Sequence, residues 1–168
     1  MSRGFVKEDD QEDVPMVPPR AHLPLGVTNY VTRAGMDELL AEQQALLDEI
    51  KNLDISRDNE RRIAVNTITA KLKLLNDRIA EARIIDPDEQ PADEIRFGAT
   101  VTVQIEGTGE KETYQIVGVD EANISGGKIS FLSPLAKALT NKKAGDRVVF
   151  KRPKGDLVFL IMKMTYSK

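Results

Sequence analysis

The runs Val101-Thr102-Val103-Gln104-Ile105 and Thr113-Tyr114-Gln115-Ile116-Val117, separated by Gly107-Thr108-Gly109, decide the fold of this chain. Each run is rich in β-branched residues and alternates at a period of two, the spacing of a strand with one buried face. The glycines between them suit a tight reversal, because glycine reaches the backbone conformations that hairpin turns demand. Toward the C-terminus the pattern repeats in Lys128-Ile129-Ser130-Phe131, Arg147-Val148-Val149-Phe150 and Leu157 to Met164, with Ser125-Gly126-Gly127 and Lys154-Gly155-Asp156 as turns. One helix fits at Pro134 to Lys142, with Ser133 as N-cap and Pro134 at the first helical position. Hairpin-linked strands covered by one helix predict a small α+β domain on an antiparallel sheet over residues 96–168. The aromatics Tyr114, Phe131, Phe150 and Phe159 fall within these strands and are expected in the core.

Toward the N-terminus the period changes. Met36, Leu39, Leu40, Leu46, Leu47, Ile50 and Leu53 recur at three- and four-residue spacing, one face of a helix. Thr32 is its expected N-cap, and Asp37 and Glu38 place negative charge near the positive helix end. Short polar side chains from Asn52 to Asn59 compete for backbone hydrogen bonds and break the helix. Ile68, Leu72, Leu75, Ile79 and Ala82 then mark a second helix, ended by Ile85-Asp86-Pro87 because proline disfavours a helical residue before it. Two amphipathic helices with a short link predict an antiparallel coiled-coil hairpin over residues 30–86, followed by a linker over 87–95. The arms carry opposite net charge, −3 on the first and +3 on the second, which favours their pairing modestly.

Residues 1–29 combine Lys7-Glu8-Asp9-Asp10-Gln11-Glu12-Asp13 with Pro15, Pro18, Pro19 and Pro24. Such a segment buries too little apolar surface to offset its ordering entropy, and it is expected to be a disordered or extended tail. Val17-Pro18-Pro19-Arg20 offers a weak peptide-docking motif.

Composition narrows the function. The chain has 24 basic and 27 acidic residues, a net charge of −3. A protein gripping free nucleic acid by its phosphates is usually clearly basic, so a protein surface is the expected partner. The absence of cysteine excludes disulfides and thiolate metal sites, and the single His22 excludes His-based triads and His-cluster metal sites. No apolar run approaches the ~20 residues of a membrane span. The acidic amino terminus does not resemble a signal peptide, so a cytoplasmic location is expected.

Several segments, taken in order and spacing, resemble the GreA/GreB family of bacterial transcript-cleavage factors. They are Phe97-Gly98-Ala99-Thr100-Val101-Thr102-Val103, Tyr114-Gln115-Ile116-Val117-Gly118 with Asp120-Glu121-Ala122, Ser133-Pro134-Leu135-Ala136, and Ala144-Gly145-Asp146. Val31-Thr32-Arg33-Ala34-Gly35 and Arg83-Ile84-Ile85-Asp86 are similar to the family's hairpin boundaries. The resemblance covers about residues 30–166. It implies an FKBP-like C-terminal domain that docks on bacterial RNA polymerase, with the hairpin inserted down the secondary channel. Asp120, Glu121, Ser133, Pro134 and Ala136 match the family's contact loops and are the expected polymerase-binding residues.

In the family the hairpin tip carries a glycine, an aspartate, two spacers, then glutamate and asparagine. Those carboxylates help hold a second magnesium ion and a water beside the polymerase's own metal. A hard divalent ion takes oxygen ligands and lowers the pKa of bound water. Here the tip candidates are Asp54, Asp58 and Glu60, with Asp54 and Asp58 as the metal ligands the resemblance implies, only in the presence of polymerase. The spacing is one residue longer than the family's, aspartate replaces glutamate, and the glycine is missing. Each arm is also shorter than the family's by roughly one to two turns, at ~5.4 Å per turn.

The leading expectation is an elongation factor acting through the secondary channel, with no cofactor of its own. It either stimulates the polymerase's intrinsic hydrolysis of backtracked RNA or occupies the channel without cleavage. Neither makes the chain an enzyme, and nucleic acid is met only inside the elongation complex. A peptidyl-prolyl isomerase is a poorer alternative, since fold does not imply function and the chain has no tryptophan for an aromatic pocket wall. An adaptor that binds some other protein is the third reading. The sequence leaves the oligomeric state open.

Overall fold

The computed structural model describes residues 15–167 of the chain. Helix α1 (Arg33–Lys51) and helix α2 (Asp58–Glu81) form the expected hairpin. At about 1.5 Å per residue they are about 28 and 36 Å long. Leu39 and Leu75 are buried with Val31, and Met36, Leu46, Ile79, Ala82 and Ile84 pack around them. Ile68 and Leu72 continue the buried stripe of α2. Leu40 and Leu47, counted above with the apolar face, stay 42% and 46% exposed. Each lies one residue past a core position, about 100° further round the helix.

The caps follow from local chemistry. Thr32 caps α1, its hydroxyl accepting the Gly35 N–H at 2.9 Å. Because α1 begins at Arg33, Asp37 and Glu38 fall beyond its first turn, and the cap rests on Thr32. Asn52 ends α1 by donating its N–H to the Asp48 carbonyl at 2.9 Å. A close polar contact between the arms joins Gln43 to Asn76 at 2.8 Å. At the hairpin base Arg33 of α1 pairs with Asp86, beyond the end of α2, at 2.9 Å.

A clasp closes the hairpin base. Strand β1 (Asn29–Val31) pairs in parallel with β2 (Ala82–Ile84), in the register Asn29 to Ala82, Tyr30 to Arg83 and Val31 to Ile84. Helix α2 therefore ends at Glu81, earlier than the proline at 87 suggested. The β-branched Ile84 gains a strand partner there that outweighs another half-turn of helix. Two strands of three residues are too short to give a periodic signal. The described part of the expected tail, residues 15–29, is not free: it carries Asn29 of the clasp, 1% exposed, and Arg20, which pairs across to the body. Residues 1–14, with their acidic run, lie outside the described residues.

After a 3-10 turn at Pro87–Glu89 the chain enters a five-stranded sheet in the order β5-β4-β3-β7-β6. Its strands are β3 (Ala99–Ile105), β4 (Lys111–Val117), β5 (Lys128–Ser130), β6 (Arg147–Phe150) and β7 (Leu157–Tyr166). Helix α3 (Pro134–Leu139) lies between β5 and β6 in the chain. The sheet is mixed, because β5 runs parallel to β4 while the other pairs are antiparallel. The return after β4 passes through a 3-10 turn at Ile124–Gly126 instead of a two-residue hairpin, and this reverses the direction of β5.

Ala99, Val101, Val103 and Ile105 of β3 point inward with Phe159 and Ile161 of β7. Ile116, Ile129, Ala136, Leu139, Val148 and Ile95, the last from the linker, complete this core. Phe159 is buried, while Tyr114, Phe131 and Phe150 are partly buried against the core. The register shifts between Thr102 and Val103 opposite β7, a bulge that bends the long β7 and curls the sheet. No helix of the described residues is long and apolar enough to cross a membrane.

The sheet meets the clasp at Gly118, just past β4. A Cβ on this residue would lie 2.5 Å from the Tyr30 carbonyl oxygen, so only glycine permits the approach. Gly118→Ala is expected to lower stability by about 1–3 kcal/mol, the usual cost of overpacking against a fixed neighbour. Urea unfolding followed by circular dichroism measures it, and an unchanged midpoint would refute the packing described.

Candidate functional site: tip, docking loop and joint

The hairpin tip is a loop over residues 52–57. Asp54 stands exposed in it, and Asp58 and Glu60 open the first turn of α2, where the helix dipole favours negative charge. Arg57, Arg61 and Arg62 flank these carboxylates in the sequence. Arg57 pairs with Glu60 at 3.3 Å, and Arg61 donates to the Leu53 carbonyl at 3.0 Å, with Arg62 next in sequence. Among the described residues no group of three or more carboxylate or imidazole side chains is assembled to hold a metal ion.

The expected docking loop lies at the other end of the molecule. The Ser133 hydroxyl caps α3, accepting the Ala136 N–H at 3.2 Å, and the Ser133 N–H donates to Ser130 at 2.9 Å. Pro134 follows, exposed at the first helical position. Ala136 is completely buried in the sheet core, so it supports the loop from beneath and offers no surface. Ser133 and Pro134 thus remain the outward members of that motif.

Asp120 and Glu121 sit in the joint between hairpin and sheet. The Thr32 hydroxyl, already an acceptor for the helix cap, donates to both oxygens of the Glu121 carboxylate, with Oε2 at 3.0 Å. Glu121 is 7% exposed. Gly35 lets this happen, since a Cβ there would come within 3.1 Å of Glu121 Oε1. Asp120 accepts from Arg20 Nε at 3.0 Å and lies 3.8 Å from Arg78 Nη1. Arg20 also donates through both terminal nitrogens to Glu42 of α1, at 2.8 and 3.0 Å. The hydrogen bond to Glu42 raises the Arg20 pKa above its ordinary value; burial opposes this and the charge of Asp120 adds to it.

Sequence reasoning missed the aromatic half of this joint. Tyr30 of the clasp packs edge-on to Phe131, with ring centroids 5.6 Å apart, and tilted against Phe97 at 5.9 Å. Phe97 meets Phe131 edge-on at 5.7 Å. Phe97 and Phe131 were visible as motif and strand residues, but Tyr30 gave no signal without the clasp. Asn29 was equally hidden: its side-chain amide donates to the Arg78 carbonyl at 3.1 Å and fixes the clasp to α2.

Comparison with known proteins agrees with the motifs. The family model described as "Transcription elongation factor, GreA/GreB, C-term" matches residues 90–166. A transcription elongation factor GreA from Hyphomonas neptunium is 33% identical over 143 residues, 85% of this chain and 89% of that protein. The GreA of Rhodospirillum rubrum is 34% identical over 93% of this chain and 99% of its own length. Among solved structures, the GreA/GreB elongation factor from Nitrosomonas europaea is 25% identical, covering 82% of this chain and 98% of that one, with a TM-score of 0.42. With identity of that level over nearly the whole of its relatives, the chain belongs to the GreA/GreB family of transcription elongation factors.

Proposed function

We propose that this protein is an RNA polymerase-binding elongation factor that occupies the secondary channel and regulates elongation with little stimulation of RNA cleavage. The observation that carries the reading is the joint. A docking domain is fixed to a helical hairpin by Thr32, Glu121 and the packing at Gly118. Seating that domain on polymerase would therefore aim the hairpin in one direction. Ser133 and Pro134 form the outward docking edge, and Asp120 and Glu121 hold the joint. The protein is not itself an enzyme; any hydrolysis belongs to the polymerase.

The tip favours occupancy over cleavage. Its carboxylates are diluted by Arg57, Arg61 and Arg62, and one of them, Glu60, is already paired. An ion shared with Asp54 and Asp58 would need its remaining ligands from polymerase. The shorter arms that the family resemblance implies add to this, because bonds from oxygen to magnesium are only about 2.0–2.1 Å long and tolerate no shortfall of helical turns.

On backtracked elongation complexes the full chain is expected to bind and to shorten the RNA little. Asp54→Ala combined with Asp58→Ala should leave binding unchanged. Magnesium-dependent shortening that the double variant abolishes would overturn the occupancy reading and make the tip a working cleavage site.

Docking has its own test. Glutamate is compatible with a first helical turn, so Pro134→Glu should keep the fold. It is expected to weaken polymerase binding at least about tenfold, or ~1.4 kcal/mol. Unchanged affinity in a titration against core polymerase would remove Pro134 from the interface.

A further inference from the structure

A cavity of about 450 Å³ opens where the clasp meets the start of β3 and the end of α3. Small-molecule sites typically measure roughly 300–1,000 Å³. Tyr30, Phe97 and Phe131, the aromatic half of the joint, line it, and Ile116, 1% exposed, lines it from the core. Three cations share the same cavity: Arg83 of β2, Arg96 just ahead of β3 and Lys137 of α3. Among the described residues no carboxylate lines it, although the chain as a whole carries a net charge of −3. Arg83 and Lys137 are exposed and form no ion pair with the described residues, whereas Arg96 pairs with Glu94 at 3.2 Å.

Taken alone, surface cations are solvated groups and the three rings are packing. Together they select a ligand that is both anionic and flat. A small inorganic anion would use the cations and leave the rings idle, and a neutral aromatic would do the reverse. A nucleotide uses both, because guanidinium and ammonium groups hold phosphate oxygens and aromatic side chains stack on bases of any kind. Asn141 adds a further mark. It also lines the cavity, and at φ 70° it is the one non-glycine among the described residues in the left-handed region. Such backbone carries a cost and concentrates at functional positions, asparagine bearing it more readily than most. Its N–H goes to the Ile95 carbonyl at 2.8 Å, and no hydrogen bond from the described residues engages its side-chain amide.

We propose that this cavity binds a free nucleoside diphosphate, with Arg83, Arg96 and Lys137 holding the phosphates, the rings of Tyr30, Phe97 and Phe131 receiving the base, and the Asn141 amide bonding a polar edge of the ligand. Tyr30 and Arg83 belong to the clasp and the other residues to the sheet side, so the nucleotide bridges the joint. A ligand that binds only the folded chain also stabilises it. The site belongs to the free protein and does not rest on the polymerase reading above.

Isothermal titration calorimetry of the full chain with GDP and with ADP tests the assignment, beside pyrophosphate, guanosine and a short single-stranded RNA. Saturable binding of a diphosphate is expected, tighter than that of pyrophosphate or guanosine. Arg83→Gln and Lys137→Gln change exposed side chains and should keep the fold. Each is expected to weaken binding about tenfold, the usual worth of a hydrogen bond to a charged group. Lys151→Gln, at an exposed cation away from the cavity, should leave affinity unchanged. In nuclear magnetic resonance spectra of the same titration, the amide signals of Lys137 and Asn141 should shift. No saturable binding of either diphosphate would overturn the proposal. Pyrophosphate bound as tightly would overturn the role of the rings, and RNA bound more tightly would overturn a free nucleotide as the occupant. Undiminished affinity in the Arg83 and Lys137 variants would overturn the cavity as the site.

Discussion

A single hydroxyl holds this protein's two halves in register. Thr32 accepts the Gly35 N–H to start α1 and donates its own hydrogen to the buried carboxylate of Glu121. The first bond belongs to the hairpin and the second to the sheet domain, so the direction of the helices is set where they begin. Hydrogen bonds to charged groups are among the stronger ones, and a buried carboxylate left without partners is costly. Gly118 then becomes a requirement, because a Cβ there would lie 2.5 Å from the Tyr30 carbonyl oxygen, while one at Gly35 would crowd Glu121 Oε1 at 3.1 Å. The parallel clasp and the packing of Tyr30 on Phe97 and Phe131 extend the same contact.

The joint also has a geometric consequence for the hairpin tip. A flexible linker would let the hairpin sample many directions and would spread its tip over a large volume. A fixed base ties the position of the tip to that of the sheet domain. What the tip then does depends on its chemistry.

Much of the fold was legible because its signals are local. The switch from a period near 3.6 to a period of two separated hairpin from sheet, and Thr32 and Ser133 announced their helices through their capping chemistry. The clasp was not legible, since three residues per strand carry no periodicity and the pairing spans more than fifty residues of chain. The parallel placement of β5 was hidden for a similar reason: the strand looks the same in either direction, and only the return after β4 decides.

The segments that resembled the family also carry the joint. Thr32, Gly35, Phe97, Gly118, Asp120 and Glu121 all lay in the segments that resembled the family, and the reading gave Asp120 and Glu121 to the polymerase. The structure gives both carboxylates partners within the chain. Ala136 was read as a contact and is a core residue. Arg20 was assigned to a tail because its neighbours are prolines, and nothing in the local sequence shows that Glu42 and Asp120 converge on it.

The central claim is that Thr32 and Glu121 act as one unit, and a double-mutant cycle in urea unfolding tests it most directly. Thr32→Val also loses the helix cap, but that loss occurs with and without Glu121→Ala and cancels in the cycle. The account predicts a coupling of about 1–3 kcal/mol, the range for a hydrogen bond to a charged group. Additivity within about 0.5 kcal/mol, as expected for independent sites, would contradict it.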